Sequence, residues 1–217
     1  MSLKKLSDCR LYTFIDMAYT AGRSVIELTR QLCEGGSDII QLRAKNSSAD
    51  EVRALTEKIL PITEACGVWL TVNDHPKLTM ELGAPLCHMG QEDFFEGGYT
   101  MVDQVTGCPR AMRLGLSTHT PDQAERALRA GPDYIAIGPV FATPTKPGRP
   151  PVTLDYVRWA KQNVGIPWFA IGGINMQNID KVLEAGARRI CVVSAILNAH
   201  DVAAECAKYR SRVDAVR

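Results

Sequence analysis

"MRLGLSTHTPDQAERALRAGPDYIAIGPVF", residues 112–141, contains one complete structural unit. An apolar run at 112–118 leads into a helix start, with Thr120 as the cap and Pro121 at the first helical position. Gly131 supplies the stop. A second run, "YIAIGPVF" at 134–141, is apolar without polar alternation, the pattern of a parallel strand buried on both faces. Two such runs joined through a helix form a crossover between parallel strands rather than a hairpin.

The same unit recurs along the chain. Further apolar runs lie at 11–16, 38–43, 68–73, 85–90, 168–173 and 189–195, which with the first two makes eight. Between them, "SVIELTRQLCEGG" places Val25, Ile26, Leu28 and Leu32 on one side and closes on glycine. "SSADEVRALTEKILPITEACG" opens on serine and acidic residues, as a helix N-terminus prefers. "LDYVRWAKQN" and "NMQNIDKVLEAGA" repeat the pattern, and the helical signal is weakest near 76–82 and 100–107. Eight strand–helix units in 217 residues predict an α/β fold of the (β/α)8 TIM-barrel kind. A doubly wound open sheet is the alternative, but the first strand ends in "TFIDMAYTAGRS" without that fold's glycine-rich fingerprint. The expectation is a single domain over 1–217 with its barrel core at about 11–198.

The formal net charge is +1, which suggests neither a nucleic-acid nor a membrane partner. The seven cysteines are odd in number and lack any C-x-x-C pair, so a reduced, intracellular protein without a zinc site is expected. "MSLKKLSDCRLYTFID" has no signal-peptide pattern and no uncharged apolar run approaches membrane-spanning length. The expected location is cytoplasmic and the expected partners are small molecules. The oligomeric state is left open, a homodimer being the assembly considered.

In a TIM barrel the strands' C-terminal ends form the active-site mouth. Here these ends turn polar: Asp16, Gln41 and Arg43, Asn73 and Asp74, Gln91 to Asp93, Ser117 to His119, Thr143 to Lys146, Gly172 and Gly173, and Ser194. Glycine pairs after the seventh strand and the start of the helix after the eighth often bind phosphate, although a tight turn also explains Gly172 and Gly173. Arg43 and Lys45, two residues apart, point to one side of extended chain. With Lys146 they suit a pyrophosphate-sized anion rather than solvated loop charge. Asp74 and Asp93 then fit Mg²⁺ bridging carboxylates and phosphate oxygens, against the plainer readings of an Asx turn and a helix cap. His119 suits either a general base or an inert hydrogen-bonded histidine, and His88, within an apolar strand, reads as a satisfied core histidine.

"QLRAK", "VNDH", "HMGQED", "GLSTHT", "DYIAIGPVFATPTK", "FAIGGI" and "CVVSAI" occur in this order. Together they resemble the thiamine phosphate synthase family and its relatives, the TenI group. The resemblance implies a TIM-barrel transferase that couples hydroxymethylpyrimidine diphosphate to hydroxyethylthiazole phosphate, giving thiamine phosphate and pyrophosphate. It assigns Gln41, Leu42, Arg43, Ala44, Lys45, Asn73, Ser117 and Lys146 to the pyrimidine diphosphate, with Arg43, Lys45, Ser117 and Lys146 as the catalytic set. Asp74 and Asp93 would hold Mg²⁺. Thr143, Pro144, Thr145, Gly173, Val193 and Ser194 would hold the thiazole phosphate, and His119 also belongs to the binding set. The sequence departs from the family pattern at Ala44, His75, Pro85 and Arg188–Arg189. Two alternatives follow: a TenI-like tautomerase using His119, for which the diphosphate and metal ligands have no use, and a non-catalytic phosphate-binding barrel. On the first reading, Arg43→Ala and Lys146→Ala lose turnover while staying folded.

Overall fold

The computed structural model describes residues 2–143 and 150–216. The strands are β1 (Leu11–Asp16), β2 (Ile39–Arg43), β3 (Trp69–Asn73), β4 (Leu86–Gly90), β5 (Arg113–Thr118), β6 (Tyr134–Ile137), β7 (Trp168–Ile171) and β8 (Ile190–Val192). They close into one parallel barrel in sequence order, β8 pairing back to β1. The helices are α1 (Val25–Glu34), α2 (Ala49–Cys66), α3 (Pro76–Glu81), α4 (Gln91–Glu96), α5 (Asp103–Thr106), α6 (Pro121–Arg129), α7 (Thr153–Asn163), α8 (Ile179–Glu184), α9 (Ser194–Leu197) and α10 (Val202–Asp214). The two weakly signalled stretches contain short helices, α3 and α5. α4 begins directly after β4, so Asp93 lies inside its first turn rather than capping a later helix.

Helix starts follow the local chemistry. Ser48 accepts from the Glu51 amide while the Glu51 carboxylate accepts from the Ser48 amide, a reciprocal cap on α2. Thr120 caps α6 through the Gln123 amide, as "THTPDQ" predicts. Several strands are shorter than their apolar runs. Beyond Ile137 the chain leaves β6 and runs over β7, with the Val140 amide donating to the Ile171 carbonyl and the Phe141 amide to that of Gly172.

Both faces of every strand are buried, but they feed different cores. Tyr12, Phe14, Ile39, Leu86, Tyr134, Phe169 and Cys191 fill the barrel interior. Leu11, Ile15, Ile40, Leu42, Leu70 and Val72, at the alternate positions, pack outward against the helices. At the N-terminal end of the barrel, Asp38 joins distant parts of the chain. Its carboxylate accepts from the Arg10 and Leu11 amides, from Lys4 Nζ at 2.6 Å and from Arg210 Nη1 at 2.6 Å. All seven thiols are free. Among the described residues, no helix is long and apolar enough to cross a membrane.

Candidate active site

The inward register of each strand carries on into the mouth. Tyr12 and Phe14 lead to Asp16, Ile39 leads to Gln41 and Arg43, Leu86 leads to His88 and Gly90, and Gly115 leads to Ser117. At this C-terminal end lies a cavity of about 490 Å³, the size of a small-molecule site. Gln41, Arg43, Lys45, Asn73, Asp74, Asp93, Ser117, His119, Thr143, Gly173, Val193 and Ser194 all line it.

Leu42 and Ala44 do not. Their side chains lie in the outer core between barrel and helices, because the two-residue period that turns Gln41 and Arg43 inward turns their neighbours outward. Pro144, Thr145 and Lys146 lie outside the described residues, as does Arg149.

One side of the cavity is charged. Arg43 Nη1 donates to Asp16 Oδ2 at 2.6 Å, across the direct β1–β2 pair Asp16–Arg43. Asp16 is 2% exposed, and its other oxygen accepts from the Ala18 amide. Asp16 was legible as a strand-end residue, but its partnership with Arg43 depends on inter-strand register. Lys45 Nζ lies 3.8 Å from Asp74 Oδ2, which also accepts from Asn73 Nδ2. Asp74 has φ 62°, a left-handed turn that bends the chain as it leaves β3. Asp93 lies in the first turn of α4 with its carboxylate folded over Gly90, where a Cβ would stand 2.6 Å from Oδ2.

The opposite side is built from closely packed backbone. Gly172 and Gly173 have φ of 104° and 64°. A Cβ on Gly172 would stand 2.4 Å from Pro139, and one on Gly173 2.6 Å from the Ala142 carbonyl. Chain geometry therefore requires glycine at both positions even without an anion, as the tight-turn reading expects. Asn178 Nδ2 donates to the Gly173 carbonyl at 2.9 Å and ties this turn to the start of α8.

His119 and His88 are both anchored. The His119 amide donates to Gln123 Oε1 at 2.8 Å, and its Nδ1–H donates to the Gly138 carbonyl. His88 is the buried, hydrogen-bonded histidine expected, with Nδ1 at 2.8 Å from the Tyr134 hydroxyl. It also borders the cavity, which the sequence reading missed. The available signal was its two-residue spacing from inward Leu86.

Among the described residues no three His, Cys, Asp or Glu side chains gather as a metal cage. Asp74 and Asp93 supply hard carboxylate oxygens from adjacent strand ends, a donor set that fits Mg²⁺ completed by phosphate oxygens and water.

Fold and site define a TIM-barrel protein with a polar mouth of small-molecule size. The sequence model of the thiamine monophosphate synthase family matches residues 11–196. The thiamine-phosphate synthase of Thermus thermophilus is 47% identical over 179 residues, spanning 82% of this chain and 84% of that one. That of Acidothermus cellulolyticus is 40% identical over 212 residues, 97% of each chain. A solved thiamine phosphate pyrophosphorylase from Pyrococcus furiosus superposes with a TM-score of 0.85 at 27% identity, covering 98% of this chain and 99% of the other. This chain belongs to the thiamine monophosphate synthase family.

Proposed function

We propose that this protein is a transferase that couples hydroxymethylpyrimidine diphosphate to hydroxyethylthiazole phosphate, releasing pyrophosphate and forming thiamine phosphate, in one barrel spanning about residues 11–198. The observation that carries this reading is a single cavity bordered on one side by Arg43, Lys45, Asp74 and Asp93 and on the other by Gly173, Val193 and Ser194. Two phosphorylated substrates require two separate anion contacts facing one reaction space, and a one-substrate tautomerase requires one.

Arg43 and Lys45 receive the diphosphate, with Lys146 as the third cation of the set. Departure of pyrophosphate moves negative charge onto these oxygens, so fixed cations there stabilise the transition state more than the ground state. Asp74 and Asp93 would hold Mg²⁺, which when bound neutralises the departing diphosphate. The pyrimidine's amino group stabilises the carbon cation left behind, so no strong base is needed. Gly173, Val193 and Ser194 hold the thiazole phosphate and bring the ring nitrogen to that carbon. The bond to the diphosphate oxygen breaks, the carbon–nitrogen bond forms, and pyrophosphate takes the electron pair. Ser117 borders the pyrimidine, and His119, oriented by its Nδ1–H bond to the Gly138 carbonyl, belongs to the binding set. The small-molecule substrates are its partners, and a cytoplasmic setting follows from biosynthetic chemistry.

Pyrophosphate release measured with both substrates, with Mg²⁺ and then with chelator, tests this. Release that needs both substrates and stops with chelator is expected. Tautomer conversion of thiazole phosphate without metal, and without pyrophosphate release, would establish the isomerase instead.

A further inference from the structure

Arg23 lies behind the cavity wall and joins two segments of the chain that meet there. Its Nε donates to the Thr20 carbonyl at 2.9 Å and its Nη2 to the Tyr19 carbonyl at 3.1 Å, in the turn that follows β1. The same guanidinium reaches a segment far along the chain, where Nη2 donates to the Leu197 carbonyl and Nη1 to that of Ala199 at 3.3 Å. One side chain thus holds four backbone carbonyls. Among the described residues it has no carboxylate partner, so its charge is spent on backbone alone.

The first of these segments is firmly seated. Ala21 and Gly22 are both left-handed, with φ of 51° and 77°, and the Arg23 amide closes their turn on the Thr20 carbonyl at 3.0 Å. This turn swings the Arg23 side chain back over Tyr19 and Thr20. The Thr20 hydroxyl donates to the Met17 carbonyl, and the Ala18 amide donates to Asp16, the last residue of β1. The turn is therefore fastened to a strand that is itself paired on both sides.

The second segment has less support of its own. α9 is a single turn, Ser194–Leu197, too short to hold its shape by helical hydrogen bonds alone. Ile196 and Leu197 are buried, while Val193, Ser194, Asn198 and Ala199 border the cavity. A helix end leaves carbonyls without intrahelical partners, and a cation there is favourable. The planar fork of arginine bonds two of them at once, and a charged donor bonds about twice as strongly as a neutral one. Arg23 thereby secures the end of α9, and with it the cavity-facing residues one turn away.

We propose that Arg23 is a positioning residue: it clamps α9 to the turn after β1 and so fixes Val193 and Ser194 where one substrate phosphate binds. It acts through the backbone and does not touch substrate. Its loss falls on the α9 side, because the β1 side keeps its strand pairing and the Asp16 anchor. That the phosphate is the thiazole phosphate rests on the proposed function; the clamp itself does not.

Hydrogen exchange of the protein without substrates reads the clamp directly. The Leu197, Asn198 and Ala199 amides donate to the Val193, Ser194 and Ile196 carbonyls. In Arg23→Ala they should exchange about tenfold faster, the size of one lost charged hydrogen bond, while the β1 amides exchange as before. In the coupling assay Arg23→Ala should raise KM for the thiazole phosphate about tenfold. KM for the pyrimidine diphosphate and kcat should stay within about twofold. Arg23→Lys keeps the charge without the fork, should fall between the two, and stands in if the first variant does not fold. Arg30→Ala, on the exposed face of α1, should change neither KM. Unchanged KM for the thiazole phosphate in both Arg23 variants, equal rises for both substrates, or unchanged exchange at 197–199 would overturn the proposal. If the unmodified protein fails to couple the substrates, the proposed function falls, and exchange at 197–199 still decides the clamp.

Discussion

Arg43 shows how one side chain serves folding and chemistry together. The sequence reading expects Arg43→Ala to lose turnover without unfolding. The 2.6 Å pair with Asp16 changes that expectation, since truncating Arg43 strands a carboxylate that is 2% exposed. Breaking a buried pair from one side costs about 3 kcal/mol or more. Arg43→Ala should therefore lose about 3 kcal/mol of stability in urea titration and about a hundredfold in turnover at saturating substrate. Adding Asp16→Asn removes the stranded charge while keeping an acceptor for the Ala18 amide. That double variant should regain most of the stability and none of the turnover, a separation that a double-mutant cycle measures. Full turnover in Arg43→Ala at saturating substrate would remove Arg43 from the diphosphate site. Placement at the cavity was legible wherever a polar type stood at a strand end, as with Asn73, Asp74 and Ser194. Pairing was not legible where the partner lies on another strand, as with Asp16 and Arg43.

At the level of elements, the eight strands and the main helices could be read from apolar runs, caps and glycine stops. Which face of each strand looks inward could not, because both faces are apolar and periodicity gives no polarity to follow. The outward turn of the Leu42 and Ala44 side chains escapes a sequence reading for that reason, as does the approach of the buried His88 to the cavity. The start of α4 was not legible, beyond the helix that Asp93 would cap, because "QEDFFE" is too short for a helical period to develop. Glycine placement tests the element packing directly. Gly115→Ala drives a methyl into the Tyr134 ring and should cost about 2 kcal/mol by overpacking. Gly165→Ala, where the added Cβ meets nothing within 4 Å, should change stability by less than about 0.5 kcal/mol. Equal chemical stability of the two variants would contradict the β5–β6 packing.

Across the whole molecule, the catalytic end depends on a barrel that is clamped at the other end. Burial pushes the Asp38 carboxyl upward, but the Arg10 amide, Lys4, the Leu11 amide and Arg210 outweigh it and hold the group below the usual carboxylate range. Its folded pKa is lower than its unfolded one, so its contribution is complete above the unfolded value of about 3.9 and is lost as pH falls through the folded value. Stability measured from pH 6 downward should fall in that acid window. Asp38→Asn should be less stable at pH 6 and show a shallower acid decline, and parallel curves would contradict the clamp. Nothing in "GGSDIIQLR" marks Asp38 as this hub, since its partners come from the N-terminal segment, β1 and α10.

The central claim is that one mouth brings two phosphorylated halves together and joins them. The measurement that meets it most directly is product stoichiometry by mass detection, after the unmodified protein is given both substrates and Mg²⁺. Thiamine phosphate and pyrophosphate are predicted in equal amounts, with neither formed when one substrate is withheld. Pyrophosphate appearing without thiamine phosphate, or no coupled product at all, would contradict it.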